Sequence, residues 1–411
     1  MAMKHAKLLV FVSSKGMENA MLCRANTRYA VIHASFWSAY GTLWAFIALL
    51  LEHYGFTSGQ VGVVTSCATL SSVILAPAVS SFLDAHARLE NRHGAAALLL
   101  LAAAVSLLVW LLPPAQPVAL GVCFALIGTL LSSVPPFQNA MAMDANRCGL
   151  PVIYGFCRGI GSVSYAAAVL ILGFVLECRA PTLLLPLFAA LAGICLFATA
   201  GFHLPARARS DAPAPPERRG VLAVLHDAPY FALTLLGCLF FFAAHTVSNT
   251  YMNALVGKVG GTASAIGTGL ALSAMLELPS MTLVSKLRGR LSSGFLLRLA
   301  AAAEIVKFTL YYFAPSMGFL YLGHCLQFFQ FAVYAPATVY FVADTLPECD
   351  QLRGQSLIYV AGSGLGAALG GLLGGRLVER GGIQAALLFC IFCAVASFAV
   401  FSVSTRAKKK P

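Results

Sequence analysis

From about residue 30 onward the chain alternates long apolar runs with short polar breaks. Runs of spanning length, about 20 residues, fall near 30–52, 58–83, 94–112, 117–143, 150–176 and 181–204. A second set of six falls near 228–256, 262–285, 292–313, 316–343, 354–378 and 382–404. The pattern predicts an all-α polytopic membrane protein with twelve transmembrane helices in two six-helix halves. Residues 205–227, rich in Pro, Ala and Arg, read as a flexible linker between the halves. The expected divisions are an N-terminal extension (1–29), a first half (30–204), the linker (205–227), a second half (228–405) and a basic tail (406–411). Within the extension the apolar run 8–12 is too short to span a bilayer or to form a signal-peptide core, so no cleaved leader is expected.

The two sets resemble each other at a fixed offset. Pro77 precedes Asp84 by seven residues, and Pro279 precedes Lys286 by seven, an offset of 202. Pro136 precedes Asp144 by eight and Pro336 precedes Asp344 by eight, an offset of 200. Six spans per repeat is an even number, so both halves enter the membrane in the same orientation, with a site expected at their interface. The competing reading is coincidence, because proline is common in membrane helices.

Composition supports the membrane assignment. Apolar residues make up 59% and charged residues 10%, against roughly a quarter charged in soluble domains. A net charge of +12 would suit nucleic acid, but the location of the cations excludes that reading. Lys and Arg number 20 in the termini, the linker and alternate short loops, against three (Arg179, Lys258, Arg380) in the others. This asymmetry places both termini in the cytoplasm, and a bacterial inner membrane is the expected location. The twelve cysteines are scattered. The one CxxC, Cys390 and Cys393, lies in an apolar run and reads as core, so neither metal nor cofactor is expected.

Against this apolar background the buried polar residues are the informative ones. Arg158 sits inside the fifth run, where an arginine costs roughly 2.5–3.5 kcal/mol on insertion scales and normally faces a bundle interior with a partner. Snorkelling to the headgroups is the alternative, because Arg158 lies near the helix end. Glu277 is expected near mid-membrane, about 15 Å of helix from Lys286, as a carboxyl able to exchange a proton. Glu304 and Lys307 share one face at i and i+3 and are expected to neutralise each other, with Glu304 the second candidate for proton coupling. His245, Asn249 and Asn253 form a polar stripe on segment seven, read as cavity lining or as interhelical hydrogen bonding. His324, Gln327 and Gln330 repeat at threes on segment ten. Trp37, Tyr40 and Trp44 make an aromatic ridge on segment one. The glycines of segment eleven indicate close helix contact.

Over residues 29–405 the chain resembles the major facilitator superfamily. The fifth-segment string Tyr154-Gly-x-x-Arg-x-x-Gly-Ser-x-x-Tyr165 is similar to the signature of the clade containing lactose permease, nucleoside–proton symporters and phenylpropionate permease. Leu276-Glu-Leu-Pro279 resembles the eighth-helix motif of the last group, and Lys307, His324 and Gln327 fall where that group carries its ninth- and tenth-helix polar residues. The resemblance implies that Arg158 binds substrate oxygens through its donor fork and that Tyr165, two turns along, stacks on a ring. Lys307, His324 and Gln327 are implied as further substrate contacts, and Asn139, His245, Asn249 and Gln330 are expected to join them from their own positions along the segments. Asp84 and Arg88, in a degenerate loop motif, are expected to brace a gate, with Asp144 and Asp344 as structural acids. Gln138-Asn139-Ala140 stands where lactose permease has an acidic partner for its arginine, and Gln330 stands where it has a proton-bearing glutamate.

The expected function is a secondary transporter, monomeric and coupled to protons, that moves a sugar, nucleoside or aromatic acid by alternating access. The alternatives are an efflux carrier of the same fold and a transport-dead sensor or scaffold. The sequence contains no Walker A string, no H-E-x-x-H and no G-x-S-x-G, so ATP-driven transport through this chain and intramembrane catalysis have no motif to rest on.

Overall fold

The computed structural model describes residues 25–86, 88–150, 152–204 and 220–405. The expected extension up to residue 24, the linker from 205 to 219 and the tail 406–411 lie outside these. Among the described residues all regular structure is helical. The first half comprises α1 (Ala25–Trp44), α2 (Ile47–His53), α3 (Ser58–Ala85), α4 (Asn91–Leu111), α5 (Pro117–Arg147), α6 (Tyr154–Cys178) and α7 (Leu184–Ala200). A short α8 (Val221–Asp227) closes the linker region. The second half comprises α9 (Pro229–Thr250), α10 (Met252–Gly257), α11 (Ala263–Leu287), α12 (Ser293–Phe313), α13 (Met317–Cys325), α14 (Phe331–Thr345), α15 (Glu348–Tyr359) and α16 (Ala367–Ser404).

The helix starts follow local chemistry. A capping box begins α3, with the Gln60 backbone N donating to Thr57 Oγ1 (3.3 Å) and the Thr57 N to Gln60 Oε1 (2.9 Å). Pro117 and Pro229 occupy first-turn positions that need no N–H donor. Nine of the described helical stretches are long and apolar enough to cross a membrane, and the pair α1 and α2, bent by 43°, makes a tenth. Two further candidates remain. One is α12, with 21 residues including Arg298, Glu304 and Lys307; the other arises because Gly382, at φ 67°, divides the 57-residue run Glu348–Ser404.

Three expected continuous segments are broken. Segment one bends after α1, near Thr42, whose hydroxyl donates back to the Ser38 carbonyl (2.8 Å), a bond that favours helix bending. Segment seven breaks at Tyr251, whose hydroxyl donates to the Gly371 carbonyl (3.0 Å) and to that of Ser58 (3.2 Å). Segment ten passes through a 3₁₀ turn, Leu326–Phe328, and leaves helical geometry at Gln330 (φ −92°, ψ −101°) before α14 begins.

The repeat is visible in contacts. Asn91 Nδ2 at the start of α4 donates to Asp144 Oδ2 at the end of α5 (2.8 Å). Ser293 Oγ at the start of α12 donates to Asp344 Oδ2 at the end of α14 (2.7 Å). The paired positions are separated by 202 and 200 residues, which matches the proline offsets.

The two halves meet along α3 with the α15–α16 run, and along α6 with α11. At the end of the bundle away from the chain termini these contacts are backbone to backbone. A Cβ on Gly173 would lie 2.8 Å from the Ala263 carbonyl oxygen and 3.0 Å from Cα of Gly267, and one on Gly375 would lie 3.2 Å from Cα of Gly59. Only glycine permits such approach. Glu52 and Asn253, 201 residues apart, join the halves here through Asn253 Nδ2 donating to Glu52 Oε2 (2.6 Å). Thr262 Oγ1 donates to Glu177 at the same level. Toward the termini the contacts continue to Val73 against Gly364 and to Leu278 against Gly159. Beyond them Phe82, Tyr154, Phe156, Leu283 and Leu352 are exposed, and a Cβ on Gly155 of α6 would meet nothing within 4 Å. The halves are therefore seated closely at the far end and part toward the termini.

Candidate functional site

The polar site lies where the seam between halves begins to part. From the first half α6 contributes Arg158, half-buried, whose guanidinium carbon stands 3.9 Å from the Trp37 ring centroid and whose Nη1 donates to Ser162 Oγ (2.9 Å). A guanidinium over an indole face is a cation–π pair that leaves the remaining N–H groups free to bind oxygen. The register that brings the two together is set by Gly161, where a Cβ would lie 2.6 Å from Trp37 Cδ1. Trp37 continues into the ridge expected on segment one, with ring centroids 5.4 Å from Tyr40, and Tyr40 in turn 6.4 Å from Trp44. Tyr165 packs its ring edge on α1, with 2.9 Å between its Cδ2 and a Cβ built at Gly41.

The second half supplies Glu277, half-buried on α11 one residue before Leu278, the residue that meets Gly159. Arg158 and Glu277 are close enough to feel each other's charge, yet no ion pair joins them. Behind Glu277 stands a hydrogen-bonded network. Gln327 Nε2 donates to Glu277 Oε1 (3.2 Å), and Gln327 Oε1 accepts from Lys307 Nζ (2.9 Å). Lys307 Nζ also donates to Gln330 Oε1 (3.0 Å), and Gln330 Nε2 donates to Glu304 Oε1 (2.8 Å). The expected direct neutralisation of Glu304 by Lys307 does not form. The i, i+3 spacing puts both on one face, but the Gln330 side chain lies between the charges, its oxygen on Lys307 and its nitrogen on Glu304. Gln327 lies within the 3₁₀ turn and Gln330 at the break that follows it, and both amides face α12.

The remaining expected residues divide. His245 stacks on Phe331 at 4.8 Å and 9°, with its Nε2 3.0 Å from Asn249 Nδ2 and its Nδ1 3.4 Å from Gln330 Nε2, so both it and Asn249 join the network. Asn253, expected on the same stripe, lies past the break at Tyr251 and serves the far-end seam instead. His324 is buried beside the network without a bond to it. Its Nδ1 is 2.8 Å from Ser273 Oγ, and its ring lies under Tyr311, in space left by Gly269. Asn139 is exposed and accepts from the Tyr154 hydroxyl (3.0 Å) at the parted end. Asp84 and Arg88 are exposed and make no ion pair among the described residues. Asp144 and Asp344 hold helix ends together within their own halves.

Sequence reasoning missed three features. One is the Trp37 seat of Arg158. Another is the Glu52–Asn253 contact, which the 201-residue offset could have shown. The third is His33 on α1, 2% exposed, with neither ring nitrogen hydrogen-bonded and with Tyr29 and Tyr154 edge-on to it at 4.8 and 5.9 Å. Among the described residues no group of three or more His, Cys, Asp or Glu side chains could hold a metal ion. A groove of about 480 Å³ on the termini side of Glu277 is lined by Leu278, Pro279, Thr282, Leu283 and Lys286.

The sequence model of the MFS_1 like family matches residues 27–404. A maltose permease of Geobacillus stearothermophilus is 28% identical over 286 residues, covering 69% of this chain and 71% of the relative. Among solved structures, the nucleoside transporter NupG superposes with a TM-score of 0.77 at 16% identity, covering 93% of this chain and 100% of NupG. A bacterial homolog of the human lysosomal transporter Spinster, solved inward-facing and unoccupied, gives 0.66 at 14%, covering 94% and 97%.

Proposed function

Since the chain belongs to the MFS_1 like family of major facilitator transporters, we propose that it is a proton-coupled secondary transporter of a neutral, hydroxyl-rich ring solute, a sugar or a nucleoside. The observation that carries this reading is the pairing, across the seam, of Arg158 seated on Trp37 with Glu277 held by Gln327. A guanidinium supplies donors and a carboxylate supplies acceptors, and the vicinal hydroxyls of a ring offer both at once. The flat faces of Trp37 and Tyr165 suit the apolar side of the same ring.

While Glu277 is ionised, charge disfavours the third expected substrate class. The buried centre holds two cations, Arg158 and Lys307, and two carboxyls, Glu277 and Glu304. An aromatic acid would add a third negative charge beside Glu277, in surroundings that penalise uncompensated charge. The relatives point the same way, one named for maltose and one for nucleosides. Transport would proceed by rocking of the two halves about the site, with the proton taken up at Glu277, the carboxyl that is not fully enclosed. The test is uptake into proteoliposomes across a panel of sugars, nucleosides and aromatic acids under an imposed pH gradient. Accumulation of a sugar or nucleoside supports the reading; accumulation of aromatic acids alone, or of nothing in the panel, overturns it.

A further inference from the structure

Lys307, Gln327 and Gln330 are arranged for a different task from touching substrate. Lys307 is 4% exposed, Gln327 5%, and Gln330 and Glu304 are fully enclosed, so none of the four fronts the parted end of the bundle as Glu277 does. The ammonium is surrounded by the two amide oxygens, at 2.9 and 3.0 Å, and by the Tyr311 ring, whose centroid lies 5.8 Å away. An ammonium only donates and an ionised carboxylate only accepts. Each amide is therefore held with its oxygen on Lys307 and its nitrogen on a carboxyl, because turning it over would set N–H against N–H and oxygen against oxygen. One amide leads to Glu277 and the other to Glu304.

We propose that Lys307, Gln327 and Gln330 are positioning residues that divide one buried ammonium between two carboxyls, fixing Glu277 toward substrate while Glu304 serves as the internal counter-charge. This rests on the proposed role of Glu277 in binding. Glu304 is suited to the counter-charge role. Its Oε2 has no partner, and the groups facing it are Lys307 of its own helix, Gln330 and Tyr334 from segment ten, His245 through Gln330, and the thiols of Cys390 and Cys393 on α16. None of these except Lys307 is a cation at neutral pH when the buried imidazole is uncharged. Lys307 without Glu304 would leave Arg158 and Lys307 facing one carboxyl, and Glu304 without Lys307 would be an enclosed carboxylate with no cation.

The experiment measures uptake of radiolabelled maltose and uridine together with the melting temperature of the full chain in detergent. Gln327→Leu keeps the volume and removes both bonds. It should raise KM about tenfold or more while Vmax stays within twofold, because a hydrogen bond to a charged group is lost at the binding carboxyl. Lys307→Met should lower Tm by several degrees and abolish uptake, and adding Glu304→Gln should restore most of the lost Tm, since the double variant again balances Arg158 with Glu277. Unchanged KM in Gln327→Leu, or a Lys307→Met/Glu304→Gln double variant that melts as low as Lys307→Met alone, would overturn the proposal. If the parent moves neither probe, the substrate assignment fails separately, and the Tm rescue still decides whether Lys307 and Glu304 form one charge-balanced unit.

Discussion

Gly267→Ala is the sharpest perturbation of the far-end seam. In the closed arrangement a Cβ at Gly267 would lie 3.0 Å from Cα of Gly173 and 3.2 Å from the carbonyl carbon of Val169, and closer still to the Val169 oxygen. All three atoms are backbone, so no side chain can rotate away, and α6 and α11 must separate by several tenths of an ångström or more. Overpacking of this kind costs about 1–3 kcal/mol. If the halves rock, that cost falls on the far-end-closed state alone, because the seam is open in the other. The equilibrium should then move toward far-end opening by roughly 5- to 150-fold. A reporter cysteine, Ser264→Cys in a cysteine-free background, sits one turn away on α11 at the same seam. Its rate of reaction with a membrane-impermeant maleimide added from the far side should rise about fivefold or more in Gly267→Ala. Gly193→Ala is the control, because nothing lies within 4 Å of a Cβ there. An unchanged rate in well-folded Gly267→Ala, or an equal rise in the control, would refute the reasoning.

Other outcomes follow from the same geometry. Arg158→Lys should lose most substrate affinity while keeping charge, because an ammonium neither lies flat over Trp37 nor offers a planar pair of donors; equilibrium binding followed by tryptophan fluorescence measures this, and near-parental affinity would return Arg158 to a structural role. Glu277→Gln should weaken substrate binding, because a binding carboxylate is lost, yet keep exchange at saturating substrate, which needs no change of protonation, while removing accumulation driven by a pH gradient; a variant that still concentrates substrate would move the coupling site elsewhere. Asn253→Ala leaves Glu52 without its amide donor at the far end and should speed far-side labelling of the Ser264→Cys reporter by roughly tenfold or more, as a single hydrogen bond to a charged group contributes a net of about 1.5–3 kcal/mol.

How much of this was legible in the sequence depended on which physical quantity each residue reports. The spanning segments and Arg158 were readable because transfer energies act along the chain and need no partner to be evaluated. The breaks at Tyr251 and Gln330 were not, because a change in one residue's φ and ψ leaves mean hydropathy untouched, and neither residue is proline or glycine. Spacing placed Glu304 and Lys307 on one face correctly, but it could not show that Gln330, 23 residues beyond Lys307, would enter between them. Trp37 was read as part of a ridge, and nothing in its neighbours announced that a cation 121 residues later would rest on it.

The placement of the site along the seam explains why binding and rocking would be coupled. Gly159 and Leu278 are in contact across α6 and α11 on the way to the parted end, and Arg158 and Glu277 are the residues immediately before them in the chain. Each charged group is thus carried on a different half at the point where the distance between halves begins to change. A solute bound by both would gain its full set of hydrogen bonds only at one separation, so its binding energy would differ between arrangements of the halves, the condition for a ligand to shift such an equilibrium. The far-end glycines supply a rigid stop on one side of that point, and the Lys307 network keeps the Glu277 side fixed relative to its own half. A group placed two turns toward the far end would sit inside the backbone-to-backbone seam with no room for a ligand.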